Sequence, residues 1–155
     1  MIVRKILSFL FLLVLVSCYK GTIYDKVYND FPGNHWLAGD IKTFDFTLDE
    51  KVDAGKIELL FSHVSESQFP VVPLQVIMVY PSGKAETIPV NLLFKDGDGK
   101  SLSNCVGDVC DLTQTIKDVN GLEKGNYKIT VQNKFDNPYL PNVLALGLTI
   151  REAKE

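Results

Sequence analysis

The chain has 155 residues, with 16 Lys and Arg against 19 Asp and Glu, for a formal net charge of −3. A mildly acidic balance argues against nucleic acid as a partner, because phosphate binders carry a basic patch or stripe. It also gives the body no basic surface to hold an anionic membrane.

The first 17 residues have the parts of a secretory signal peptide in order. Arg4 and Lys5 are followed by an apolar run from Ile6 to Val16, broken only by Ser8. This run is about half of the ~20 apolar residues that a membrane-spanning helix needs. Leu15-Val16-Ser17-Cys18 closes the segment. A small residue at Ser17 directly before a cysteine resembles the cleavage signal of bacterial lipoproteins, with Cys18 as the lipid-modified first residue of the mature chain. Without Arg4 and Lys5 the basic count falls from 16 to 14 and the net charge becomes −5. Two or more acyl chains on Cys18 anchor a protein stably, whereas a single chain does so only marginally.

Residues 18–40 read as a lipid-anchored tether and entry loop. They hold Tyr19, Tyr24, Tyr28, Phe31 and Trp36 without a helical or strand period, and Pro32-Gly33-Asn34 is turn chemistry. Residues 41–155 then alternate with a period of two. Phe44, Phe46 and Leu48 share one face, and Asp53-Ala54-Gly55 is expected to turn the chain. Ile57, Leu59 and Phe61 share the next face. Leu74 to Tyr80 is nearly continuous apolar sequence, as in a strand covered on both sides. Pro81-Ser82-Gly83-Lys84 turns into Ile88, Val90, Leu92 and Phe94, and Asp96-Gly97-Asp98-Gly99 turns again. Residues 112–123 form a weak strand or, alternatively, a short helix. Gly125-Asn126 leads into a row of Tyr127, Ile129, Val131, Asn133 and Phe135, and Val143 to Ile150 is the last strand.

Short alternating runs spaced by turn signals predict an all-β fold, a single antiparallel β-sandwich of about seven to eight strands. The expected core is Phe44, Phe46, Leu59, Phe61, Val76, Met78, Val90, Leu92, Ile129, Val131, Leu146 and Leu148. At about 1.5–3 kcal/mol per buried side chain, such a core offsets the ordering entropy of one domain.

The order of these pieces is similar to that of the gliding motility-associated lipoproteins of the GldH type, found in Bacteroidetes. The resemblance starts at Cys18 and Tyr24-Asp25-Lys26. It continues through Trp36, Phe44-Asp45-Phe46, Asp49, Phe69-Pro70 and Pro81-Ser82-Gly83-Lys84. It then runs through Gly107-Asp108-Val109, Gly125-Asn126-Tyr127, Leu140-Pro141-Asn142-Val143 and Leu146-Gly147-Leu148-Thr149-Ile150. Three departures stand out: Asn142 where the family usually shows glycine, Pro73 before the central strand, and Cys105 and Cys110 around the Gly-Asp step. Asn is the next-best residue for left-handed backbone, so the turn at Asn142 is expected to survive. The resemblance implies an envelope lipoprotein that works with gliding and type IX secretion proteins, with no catalytic or cofactor site. Tyr19-Lys20-Gly21 lacks the acidic run that directs some Bacteroidetes lipoproteins to the cell surface, which implies a periplasm-facing protein.

The chemistry-bearing residues are few. Cys105 and Cys110 are the two thiols left after lipidation, in a compartment where disulfides persist. They pair if Gly107-Asp108 turns the chain back; on one extended strand they would stand ~17 Å apart and could not. The only histidines, His35 and His63, lie near no G-x-S-x-G step and read as ordinary surface or edge residues. Asp96-Gly97-Asp98-Gly99-Lys100 begins like a calcium loop, but Lys100, Ser101 and Gly107 fall where ligands or the turn glycine should stand, so a hairpin turn is expected and no metal. Most acids fall in turns, as solvated carboxylates do. No enzyme chemistry follows from these residues. Tyr28, Phe31 and Trp36 precede the first strand, and Phe135 and Tyr139 precede the last. Together they are either a contact surface for a protein, peptide or glycan, or a staple over an open end of the core. Two functions remain: a non-catalytic contact component, or a glycan- or peptide-binding lipoprotein.

Overall fold

The computed structural model describes residues 21–65 and 69–153. The expected signal peptide, Ser17 and Cys18 lie outside them. Among the described residues the regular structure is strand, apart from one 3-10 turn at Pro32–Asn34.

The strands are β1 (Thr22–Tyr28), β2 (Trp36–Leu37), β3 (Lys42–Leu48), β4 (Val52–Val64), β5 (Val71–Val79) and β6 (Ala85–Leu93), then β7 (Asn104–Val106), β8 (Val109–Leu122), β9 (Gly125–Asn133), β10 (Tyr139–Leu140) and β11 (Val143–Glu152). One sheet runs β1-β11-β4-β8-β7 and the other β3-β9-β5-β6, and a small ribbon pairs β10 with β2. All pairings are antiparallel. The all-β sandwich is as expected, and β2, β7 and β10 are short additions to its eight long strands.

The two sheets face each other across a continuous core. All twelve expected core residues are buried in it. Period-two rows supply it: Phe44, Phe46 and Leu48 from β3, and Ile57, Leu59 and Phe61 from β4. Val72, Leu74, Val76 and Met78 come from β5, Tyr127, Ile129 and Val131 from β9, and Leu146, Leu148 and Ile150 from β11. Burial of one face and not the other fixes strand register, since a one-residue slip would turn each row outward. The outer row of β5 is only partly covered, so that strand is less enclosed than its apolar run predicts.

Two expectations are corrected, and one alternative is settled. The stretch read as a tether contains β1, which pairs with β11 and closes the edge of the larger sheet, so the sandwich begins at Thr22 rather than at 41. Its core-facing row is Tyr24, Lys26 and Tyr28, while Ile23 and Val27 face out. Apolar atoms on both faces hide the strand period. The tyrosines cover the corner between the sheets: Tyr24 packs on Phe46 at 5.0 Å and Tyr28 on Phe44 at 5.2 Å between ring centroids. Residues 112–123, read as a weak strand or alternatively a short helix, are strand: they belong to β8 and its turn. Asp53-Ala54-Gly55 does not turn but lies inside β4. Gly55 is there because a Cβ would press on the Arg151 carbonyl oxygen of β11.

The sandwich has two unlike ends. Thr22 pairs with Arg151, Leu48 with Gly125, and Val52 with Leu122, so Gly21 enters beside the polar turns around Asp49, Ser82 and Glu123. We call this the near end. β1 carries the chain about 20 Å away from it, at ~3.3 Å per residue. The far end holds the β2–β10 ribbon, the 94–103 loop and the β7–β8 hairpin.

Candidate functional site

The five candidate contact aromatics lie at the far end, but they divide. Trp36 is 0% exposed and Phe31 is buried beside it, with 5.9 Å between ring centroids. Trp36 Nε1 donates to the Asp40 carbonyl at 2.7 Å. Tyr28 is half-buried and donates its hydroxyl to the Thr43 carbonyl. These three close the core. Phe135 is half-buried against Phe69 at 4.5 Å, and Tyr139 is 39% exposed, stacked on His35 at 4.0 Å. Only Tyr139 and the rim of Phe135 therefore serve as surface.

Lys42 fastens this end from below. Its side chain is 5% exposed, and Nζ reaches Asp30 at 3.1 Å and Asp40 at 3.0 Å above the Phe31 ring. Burial acts to lower the Lys42 pKa, but the two carboxylates outweigh it and hold the ammonium above its ordinary value. The same contact holds Asp30 below the usual carboxylate range.

His63 at the end of β4 is buried and paired on both sides, not the surface or edge histidine that the sequence predicts, because it continues the inward row of Ile57, Leu59 and Phe61. The ring lies edge-on to Phe94 at 5.0 Å. Its Nδ1 meets the Val64 carbonyl at 2.8 Å, and a carbonyl can only accept, so Nδ1 carries the proton. In the neutral ring Nε2 then accepts from the Ser103 hydroxyl at 2.9 Å. A serine on an imidazole does not by itself make a nucleophile: the third group is a main-chain carbonyl rather than a carboxylate, and the Ser103 amide is already given to Ser101 Oγ at 3.2 Å. The pair seals the floor of a cleft of about 390 Å³ lined by His63, Phe94, Lys95, Ser101, Ser103, Cys105 and Cys110.

One wall of that cleft is a disulfide. Cys105 and Cys110 are direct cross-strand partners in the β7–β8 hairpin and their sulfurs are bonded. Gly107, at φ 61°, supplies the left-handed backbone the turn requires. The opposite wall is the 94–103 loop. Asp96 Oδ1 accepts from the amides of Asp98 and Lys100 at 3.0 and 2.9 Å, so that oxygen builds the hairpin turn.

At the sandwich corner nearer the entry, Tyr80 donates to Glu86, and Lys117 pairs with Glu86 at 2.9 Å. Burial and then the Glu86 bond push the Tyr80 phenol up to about 12, while the bonds from Tyr80 and Lys117 lower Glu86. This cluster ties β6 to β8 across the two sheets.

Lys42, His63 and Asn133 are the residues a reading of the sequence alone leaves out of the site. Each had one signal, a polar residue continuing an apolar row at the far end of β3, β4 or β9.

The fold is distantly similar to several solved structures. Dimeric latent PorU from Porphyromonas gingivalis matches 85% of the chain at 11% identity with a TM-score of 0.37, and the chain spans only 13% of that protein. The Penaeus vannamei nodavirus P-domain matches 85% of the chain and 98% of its own length, at 14% identity and a TM-score of 0.30. The infectious bursal disease virus Gx strain structure matches 84% of the chain and 38% of its own, at 9% identity and a TM-score of 0.19. No curated protein matches the chain. Residues 22–150, from the first strand through the last core row, match the family described as GldH lipoprotein, and the chain belongs to that family, whose lipoproteins are linked to gliding motility.

Proposed function

We propose that this protein is a non-catalytic component of the gliding and type IX secretion apparatus, held to a membrane by lipid on Cys18 and facing the periplasm, which acts through protein contacts made by its far end. The observation that carries this reading is where the exposed apolar residues lie. Of ten large hydrophobic residues exposed among the described residues, only Ile23 and Val27 lie outside the far end. The others include Leu37, Leu102, Tyr139 and Val106, the last 81% exposed. Apolar exposure gathered in one region marks an interaction surface more often than scattered single residues do.

The anchor geometry supports the same reading. Only Tyr19 and Lys20 separate Cys18 from Gly21, and Gly21 enters at the opposite, polar end. A lipid at Cys18 would keep the near end at the bilayer and present the far end to partners away from it. The expectation of a periplasm-facing protein rests on the residues after Cys18, which carry no acidic run.

A second reading is peptide or glycan capture in a groove of about 250 Å³ beside Phe69, Phe135 and Tyr139. Ring faces there are largely taken, Tyr139 by His35 and Phe135 by Phe69, which favours the protein-contact reading.

Photo-crosslinking residues placed at Val106 and, separately, at Ser82 test the proposal in living cells. A discrete crosslinked envelope protein from Val106 and none from Ser82 is expected. Crosslinks from Ser82 alone would overturn it.

A further inference from the structure

We infer that the cleft between the 94–103 loop and the β7–β8 hairpin is a carboxylate-recognition site, which receives an acidic residue of the protein docked on the far end. The inference rests on the docking reading for its partner, but its chemistry stands on the cleft alone.

Among the described residues the lining has one fixed charge and it is positive. Lys95 faces the cleft, and its ammonium makes no ion pair with a described residue. Among the described residues no carboxylate lines the space. The two nearest in sequence are turned elsewhere: Asp96 holds the amides of its own loop, and Asp111 takes the Ser62 hydroxyl at 2.5 Å. Lys95 is exposed, so its three donors can exchange water for a carboxylate.

A second donor stands next to it. The Ser101 oxygen accepts the Ser103 amide at 3.2 Å, but its own proton makes only a long bond to the Ser103 carbonyl, at 3.4 Å, and can turn to a ligand at little cost. Ser103 is different, because its proton is committed to His63 Nε2. Lys95 and Ser101 therefore form the polar pair, with His63 and Ser103 as the fixed floor.

The remaining surface sets what surrounds the carboxylate. Phe94 and the disulfide are apolar walls, and Leu102 stands exposed between Ser101 and Ser103. An acidic side chain beside an apolar residue fits both features, with the charge at Lys95 and the neighbour against Phe94 or the disulfide. The volume, about 390 Å³, lies within the ~300–1,000 Å³ usual for ligand sites. One carboxylate seated on a lysine beside apolar walls is a common design for specificity, because a partner lacking the acid would leave the lysine unpaired.

The test uses the mature lipoprotein in detergent micelles, labelled with nitrogen-15, and titrated with N-acetyl-L-valine. The control is N-acetyl-L-valinamide, which has the same apolar part without the charge. Saturating shifts confined to Lys95, Ser101, Ser103 and Cys105 are expected with the acid, and none there with the amide. Lys95→Gln should weaken binding about tenfold, and Lys84→Gln, at the near end, should leave it unchanged. Equal shifts with acid and amide, no shifts in the cleft, or unaltered binding by Lys95→Gln would overturn the inference. If Val106 crosslinks a partner in cells while the cleft ignores the carboxylate, this inference falls and the docking reading stands. If the cleft binds and Val106 finds no partner, the reverse holds.

Discussion

Asn133 donates from Nδ2 to the main-chain carbonyl of Trp36 at 3.1 Å, while its Oδ1 accepts from the Phe135 amide at 2.7 Å. One buried side chain thus joins the end of β9 to β2 and starts the loop that carries Phe135 and Tyr139. The far end is held as one piece by this amide and by the indole it supports. Trp36→Ala should destabilise the domain by about 3–5 kcal/mol through loss of a fully buried aromatic. Asn133→Leu should cost about 1–3 kcal/mol for each backbone group it orphans. Denaturant unfolding of the two variants measures both. Wild-type stability in Trp36→Ala would mean that the indole is surface and not staple.

The second prediction concerns the hairpin beside the cleft. Cys105 and Cys110 are expected to resist alkylation in the unreduced protein and to take two alkyl groups after reduction, as intact mass reports. Breaking so short a loop should cost only about 2 kcal/mol in the chain-entropy model, so the reduced domain should stay folded. Hydrogen exchange should quicken in residues 104–110 and little elsewhere.

Tyr80 and Glu86 predict two edges in the pH profile of stability. The Tyr80 phenol is raised from 10.0 to about 12, so its contribution is complete below pH 10 and is lost as pH rises towards 12. Glu86 is lowered from 4.5, so its contribution is present above that value and is lost as pH falls below it. Glu86→Gln should remove the acidic edge due to this group and bring the Tyr80 titration down, though burial will keep it above an ordinary phenol. Carbon-13 titration of the tyrosine rings reads the shift directly.

Lipidation is tested at Cys18. Cys18→Ser should lose all incorporation of a palmitate analogue and leave an uncleaved or soluble product. Labelling that survived the substitution would exclude Cys18 as the attachment point.

Much of the fold was legible because the core is written in period-two rows. Phe44-Asp45-Phe46 and Tyr127 to Val131 place alternate residues in and out, and both became buried strands as read. The loss came where alternation is masked. In β1 the inward residues are Tyr24, Lys26 and Tyr28, with Ile23 and Val27 outside, so neither face looks polar. Gly55 looks like a turn residue, yet its role is to admit the Arg151 carbonyl. Asn142 was legible: it takes φ 64°, the left-handed backbone expected of it. The site was only partly legible. Turn chemistry at Gly107 pointed to the hairpin, and aromatics pointed to the far end. That His63 would meet Ser103, forty residues on, depends on how the 94–103 loop folds back, which no local pattern encodes.

The central claim is that the far end makes the functional contact, and gliding itself tests it. The double change Leu102→Asp and Val106→Asp puts charge on exposed positions, where substitutions usually alter stability by only about 0.5 kcal/mol or less. A matched pair, Ser82→Asp and Lys84→Asp, does the same at the near end. Surface spreading of cells that carry each variant, at equal protein abundance, is the measurement. Loss of spreading with the far-end pair and normal spreading with the near-end pair is the expected result. Normal spreading with the far-end pair would contradict the account.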